Sequence, residues 1–368
     1  MTSDDSSAAP HRVGLRRRLP HLPAKVGLPM APALLLFLSG PRADLNERVE
    51  PVEVPDDVVA WVAASEAEVD GIRPGDEKRV VWADPEQPSR TAVSVVYLHG
   101  FSADPHEIDP VPQHVATALG ANLFATRLTG HGRDGVALGD ATAEEWLQDV
   151  TEAVAVGRSL GRRVVLMGTS TGATLAVWAA ANIGMGEDLA ALVLLSPNFH
   201  PADRNSRLLL LPWGNVVART VLGPERCFEP VNPEQERHWT TCYPTRALLP
   251  MMALVERVRT LDLAQVTTPT LVIYSEDDQV VAPLDTERAF EKLGADNKRL
   301  VPFVGTADPA NHVLGGDIVS PSTTDHLVAL VLDFVRPLAA SIAAEGVQPD
   351  DGPAPETAED TPGESGRS

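Results

Sequence analysis

The residues of this chain that could do chemistry stand just after short apolar runs. Residues 168–172 read Gly-Thr-Ser-Thr-Gly, behind the run 163–167 (RVVLM) and ahead of the small-residue stretch 173–182. A serine in G-x-S-x-G between a buried strand and a helix sits on a sharp turn that lifts its hydroxyl off the backbone, and the glycines let strand and helix approach closely. The helix behind it aims its first N–H groups at negative charge forming beside the hydroxyl. A serine hydroxyl is a poor nucleophile until a base takes its proton. The chain has ten histidines. His312, in 308–314 (DPANHVL) past the last apolar run, is the best placed to act on Ser170. His131, in Gly130-His131-Gly132, reads as shaping its own loop. His326 lies in a helical pattern, and His11 and His21 lie near the N-terminus. The imidazole in turn needs a carboxylate to fix its tautomer. Glu276, Asp277 and Asp278 follow the run 270–274 (TLVIY), between the serine and the histidine in the chain. After 92–98 (AVSVVYL) comes His99-Gly100-Phe101. There the Phe101 N–H, with that of Thr171, would form an oxyanion hole, each donor worth roughly 3 kcal/mol of transition-state stabilisation. His99 itself reads as a hydrogen-bonded structural residue. The chemistry these groups would perform is nucleophilic acyl transfer.

Such groups must be carried by regular elements. The runs 92–98, 122–126, 163–167, 189–195, 270–274 and, more weakly, 299–303 read as strands buried on both faces. Helical patterns separate them. Thr142-Ala143-Glu144-Glu145 is a capping box, opening a helix that runs to about residue 160 and stops at Gly161. Alternation of strand and helix predicts an α/β fold with a mostly parallel central sheet covered by helices on both faces. Ligands of such sheets bind beyond the carboxyl ends of the strands, where Ser170 and its partners fall.

Composition narrows the function further. The chain has 368 residues, 43% of them hydrophobic, a formal net charge of -21 and a sequence pI of about 4.8. That acidity excludes a phosphate-backbone binder, so no nucleic-acid partner is expected. Two cysteines exclude a disulfide-dense scaffold and a multi-cysteine zinc module. Residues 1–45 are a basic, Pro-rich arm with Arg12, Arg16, Arg17, Arg18 and Lys25 ahead of the apolar run 33–38, where prolines are expected to break any helix. A basic stretch before an apolar run is the layout of an export signal or membrane anchor, although the run is far shorter than the roughly 20 residues of a spanning helix. A disordered arm whose apolar patch docks on the body is the other reading. The compartment stays open between export, membrane attachment and the cytoplasm. Residues 345–368 read as a disordered acidic tail. Alternation stops over about 197–246, an insertion that would cap the strand ends. Its aromatic residues either line an apolar acyl pocket or pack a small subdomain. Cys227 and Cys242 both lie in it; bridged, they would close a loop of about 15 residues worth roughly 3 kcal/mol.

These stretches resemble the α/β-hydrolase superfamily, and more narrowly its bacterial carboxylesterases and monoacylglycerol lipases. The similarity rests on 99–107 (HGFSADPHE), 127–135 (RLTGHGRDG), 144–150 (EEWLQDV), 168–178 (GTSTGATLAVW), 243–255 (YPTRALLPMMALV), 274–283 (YSEDDQVVAP) and 311–314 (NHVL), in order within a domain spanning about 46–344. The resemblance implies Ser170 as nucleophile, Asp278 rather than Asp277 as the acid, His312 as base, and the backbone of Phe101 and Thr171 as oxyanion donors. The family more often has Met-Gly-Gly after the serine. Thr171-Gly172-Ala173 stand here, which keeps the backbone donor and narrows the site. The expected activity is hydrolysis of a small-molecule ester with an apolar acyl group, with no cofactor and no metal. Acyl transfer by the same triad and a non-catalytic binding role on this scaffold are the alternatives.

Overall fold

In the computed structural model, which describes residues 30–345 except 44 and 183, the described residues up to Pro41 belong to one unit and those from Arg42 to a second. Of the first unit, a nine-residue helix α1 (Met30–Leu38) is described. Pro32 falls in its first turn, where a missing N–H costs nothing, so the expected break does not occur. At 1.5 Å per residue the helix is about 13 Å long, well short of a bilayer core. The basic residues up to Lys25 and the acidic tail after Glu345 lie outside the described residues.

The second unit contains, in chain order, α2 (Val58–Ala67), β1 (Arg79–Val81), β2 (Thr91–Leu98), α3 (Val111–Leu119), β3 (Asn122–Ala125), α4 (Gly135–Asp140), α5 (Ala143–Leu160), β4 (Gly161–Thr169), α6 (Thr171–Ala181), β5 (Leu189–Leu195), α7 (Gly214–Leu222), β6 (Glu225–Cys227), α8 (Pro233–His238), β7 (Cys242–Pro244), α9 (Leu248–Thr260), β8 (Thr270–Tyr274), α10 (Pro283–Lys292), β9 (Lys298–Pro302) and α11 (Thr324–Glu345). Seven strands make one sheet in the order β1-β3-β2-β4-β5-β8-β9. Every neighbouring pair is parallel except β1 with β3. The six apolar runs of the sequence are the six parallel strands. The antiparallel edge strand β1 was not anticipated: it is three residues long and half-buried, too short to show a pattern.

Side-chain alternation along the strands splits the core in two. Val96, Leu98, Leu166, Leu192, Leu194 and Val272 pack on the face that carries α5, α6 and α9. Val95, Tyr97, Val165, Met167, Val193, Leu195 and Ile273 pack on the face that carries α3 and α11. The capping box forms as read, Thr142 accepting from the Glu145 N–H and Glu145 accepting from the Thr142 N–H. Gly161 ends α5 in an extended conformation, not a left-handed one. Its lack of a side chain answers a different need: a Cβ there would lie 2.3 Å from the Ser94 nitrogen. Pro321–Glu345, which contains α11, is long and apolar enough to cross a membrane by length and composition, yet Leu327, Val331, Phe334 and Val335 of this helix are buried in the core.

Between β5 and β8 the chain leaves the sheet. It forms α7, the antiparallel hairpin β6–β7 and α8 before α9 returns to the sheet face. Cys227 and Cys242 pair across that hairpin and form a disulfide. This cap segment is tied down at several points. The Thr240 N–H donates to Ser102 O at 2.7 Å, the Ala202 N–H to Val280 O at 2.9 Å, and the Ala282 N–H to His200 O at 2.8 Å.

Candidate active site

Parallel strands put the loops after β2, β4, β8 and β9 at one end of the sheet, and the candidate residues lie on those loops. Ser170 separates β4 from α6 with φ 53° and ψ -115°, a region that costs a residue with a side chain about 1–3 kcal/mol. Gly168 and Gly172 make the turn physically attainable. A Cβ on Gly172 would stand 2.1 Å from Leu98 O, and one on Gly168 2.5 Å from the Gly172 backbone. Ser170 holds the N-cap position of α6, but its side chain makes no cap hydrogen bond. Among the described residues the hydroxyl makes no hydrogen bond, and the first N–H of α6 is that of the next residue, Thr171.

His312 and Asp278 meet from two other loops. His312 Nδ1 is 2.7 Å from Asp278 Oδ2, and Asp278 Oδ1 accepts from the N–H groups of Val280 at 2.8 Å and Val281 at 2.9 Å. Both residues are buried, whereas Asp277 is exposed. Burial alone would push the imidazole pKa down, but the charge and hydrogen bond of Asp278 outweigh it and hold the pKa above the usual histidine value. Among the described residues no hydrogen bond joins the Ser170 hydroxyl to His312. Such bonds often tighten only with substrate in place.

Two residues that the sequence did not single out hold the His312 loop. Asp308 Oδ2 accepts from the N–H groups of His312 at 2.9 Å and Val313 at 2.8 Å. The Ser196 hydroxyl, at the end of β5, donates to His312 O at 2.7 Å. A third unanticipated residue is Glu107, 3% exposed. It accepts from the Gly100 N–H at 2.7 Å and the Tyr97 hydroxyl at 2.8 Å. Burial raises its pKa to about 7, against the pull of those hydrogen bonds and of His312. Gly100 packs against Ser170, since a Cβ there would lie 3.2 Å from Ser170 Cβ and 2.6 Å from Glu107 Oε1. Glu107 lies within the stretch 99–107, and only its burial distinguishes it from a solvated loop acid.

Phe101 follows Gly100 on the same loop. Its ring packs edge-on against Tyr243 of the cap segment at 5.3 Å and against His131 at 5.9 Å. His99 takes the Leu128 N–H on Nε2 at 3.0 Å, which leaves its proton on Nδ1 for Gly100 O at 2.9 Å. Burial drops its pKa to about 4, so it is neutral and structural at pH 7. His131 bonds Thr129 O through Nδ1 and is likewise kept neutral by burial.

The sequence profile of the family described as serine aminopeptidase, S33, matches residues 89–306, more than half of the chain. The chain belongs to the S33 family. As an S33 member it is a serine hydrolase with the α/β-hydrolase fold. It is similar to the thermostable monoacylglycerol lipase of Bacillus sp. (strain H-257), 24% identical over 221 residues, which are 60% of this chain and 84% of that one. Among solved structures, one reported for LipS and LipT, two metagenome-derived lipolytic enzymes, aligns with a TM-score of 0.57 at 22% identity, covering 72% of this S33 chain and 99% of the other. The monoacylglycerol lipase of Paleococcus ferrophilus aligns with a TM-score of 0.52 at 15% identity, covering 72% and 98%. At these identities the two structures speak for the fold.

Proposed function

We propose that this S33 enzyme hydrolyses small carboxylic esters with an apolar acyl group, monoacylglycerols among them, through an acyl-enzyme on Ser170. His312 Nε2 takes the hydroxyl proton as Ser170 Oγ adds to the ester carbonyl. The N–H groups of Phe101 and Thr171 donate to the oxyanion, the acyl–oxygen bond breaks, and the departing alcohol oxygen receives the proton from Nε2. Water deprotonated by His312 then adds to the acyl-enzyme, and the acid leaves as Ser170 regains its proton. Asp278 holds the His312 proton on Nδ1 and steadies the imidazolium.

One observation carries the reading: an uncommitted serine hydroxyl on a strained strand-to-helix turn, at the same sheet end as a buried His–Asp pair. The names of the Bacillus and Paleococcus relatives favour the lipid ester class. The cap segment exposes Leu208, Val216, Val221 and Phe228, which suits contact with aggregated acyl chains. We further propose that α1, with Leu34, Leu35, Phe37 and Leu38 exposed, gives the arm a foothold on lipid surfaces.

The deciding experiment is labelling with a fluorophosphonate, followed by peptide mass spectrometry. Adduct on Ser170, lost in Ser170→Ala together with turnover of p-nitrophenyl butyrate, is the expected result. Undiminished ester turnover by folded Ser170→Ala would overturn the proposal. A p-nitroanilide run beside the ester separates ester from amide preference.

A further inference from the structure

Four side chains from three separate segments converge outside the candidate active site. Asp76 comes from the loop before β1, Asp104 and His106 from the loop after β2, and His238 from the end of α8 in the cap segment. Their ligand atoms all lie within 4.8 Å of one another. His238 Nδ1 is 2.8 Å from Asp104 Oδ2 and 3.2 Å from Asp76 Oδ1. His106 Nδ1 is 3.3 Å from Asp104 Oδ1 and 3.9 Å from Asp76 Oδ1. Metal–ligand bonds of 2.0–2.2 Å in a tetrahedron imply ligand-to-ligand edges of about 3.3–3.6 Å, and these separations bracket that length.

Two details show that the four are not satisfied by one another. Asp76 and Asp104 are fully buried, yet among the described residues Asp76 Oδ1 and His106 Nδ1 are buried atoms with no hydrogen-bond partner. Both imidazoles also turn the same nitrogen, Nδ1, toward the same two carboxylates, with ring centroids 4.6 Å apart. One proton on His238 Nδ1 can serve Asp104 but not the neighbouring lone pairs as well. A single cation at the centre would serve all four.

The geometry points to a structural site for a divalent transition metal of the zinc class, made by Asp76, Asp104, His106 and His238. Two imidazoles with two carboxylates suit such an ion better than calcium or magnesium, which favour oxygen alone. Four protein ligands close the coordination shell, which marks a structural ion and not a catalytic one. Arg73 Nε holds the outer oxygen of Asp76 at 2.6 Å, the kind of outer contact that orients a ligand. Asp109 and Glu234 face the far nitrogens of His106 and His238 at 3.9 and 4.0 Å. The site departs from the sequence expectation of no metal. It would fasten α8 to the 99–107 loop, which carries Phe101, Gly100 and Glu107.

The test uses the full chain, stripped with chelator and dialysed at pH 7.5, then titrated with cobalt(II) as the spectroscopic probe. We expect one cobalt per chain with the intense visible band of four-coordinate cobalt, bleached by one equivalent of zinc, and a melting temperature that rises with metal concentration. Ser170→Ala retains the band. His106→Ala, at the one partly exposed ligand, weakens binding at least tenfold, and His106→Ala with His238→Ala abolishes the band. Absence of the band in folded wild-type protein at millimolar cobalt, or its survival in the double variant, would overturn the site and leave the cluster as a proton-held ion network.

Discussion

Asp278 grips His312 with one carboxylate oxygen at 2.7 Å while two backbone N–H groups hold the other. The carboxylate therefore cannot rotate away, and the imidazole proton stays on Nδ1 with the Nε2 lone pair free. Asp278→Asn should lower kcat for p-nitrophenyl butyrate by about 10³- to 10⁴-fold through the wrong tautomer, with an unchanged far-ultraviolet spectrum. Asp277→Asn, at an exposed neighbour, should match wild type. Equal losses in both variants would separate the pair from the chemistry.

The pH profile carries a second signature. A base acts when deprotonated, and the His312 pKa is raised, so kcat/KM should fall as pH drops through a value above 6.5. The Glu107 carboxylate adds to that rise and titrates near 7 itself, so the acid limb belongs to both groups. Glu107→Gln keeps an acceptor for the Gly100 N–H and removes the charge, and should move the limb to lower pH.

Stability should respond to the same substitution. The folded protein holds a proton on Glu107 up to about pH 7, whereas an ordinary glutamate releases it near 4.5. Between those values the native state binds more protons than the unfolded state, so this group's contribution declines as pH rises, by about 3 kcal/mol over the window. Urea unfolding of Glu107→Gln from pH 5 to 8 should show that slope removed.

Gly172→Ala forces a Cβ to within 2.1 Å of a backbone oxygen, Leu98 O, and neither backbone can yield without moving β2 from α6. A loss of about 3 kcal/mol or more in denaturant unfolding, or failure to accumulate soluble protein, is expected.

The Cys227–Cys242 bridge closes a 15-residue loop in the cap segment. Tyr243, next to Cys242, packs on Phe101. Replacing both cysteines with serine should destabilise the cap by roughly 3 kcal/mol, speed proteolysis between residues 228 and 241, and lower kcat/KM. A thiol assay of the denatured, unreduced protein should find no free cysteine. Bridges of this kind persist in oxidising compartments.

Deleting residues 1–41 tests the arm. Co-sedimentation with phosphatidylglycerol vesicles should fall sharply while turnover of a soluble ester is unchanged. Equal sedimentation of both forms would remove α1 from the account.

Much of this was legible because burial leaves marks in sequence. The six parallel strands are continuous apolar runs, being covered on both faces, and a turn with Gly168 and Gly172 around a serine has few other uses. β1 was not legible, since three half-buried residues carry no period. Glu107, Asp308 and Ser196 escaped for another reason: an acid or serine in a loop reads the same whether solvated or enclosed, and the partner of Ser196 lies 116 positions away. Asp277 and Asp278 differ only in which one the fold turns inward. The Asp76, Asp104, His106 and His238 cluster draws on residues up to 162 positions apart, with no spacing to betray it.

The cap segment departs after β5 and returns to β8, and those two strands are immediate parallel neighbours. Both ends of the excursion are thus anchored on adjacent rungs of a rigid frame. Changes in the length of its outer part leave the frame's hydrogen-bond register untouched, whereas its bonds to Ser102, Val280 and Ala282 and the Tyr243–Phe101 contact tie it to the loops that bear Phe101 and Asp278. The molecule has the layout of a fixed frame with a hood bolted to it at a few points, and a graft must keep those fastenings if the loops beneath are to stay in place.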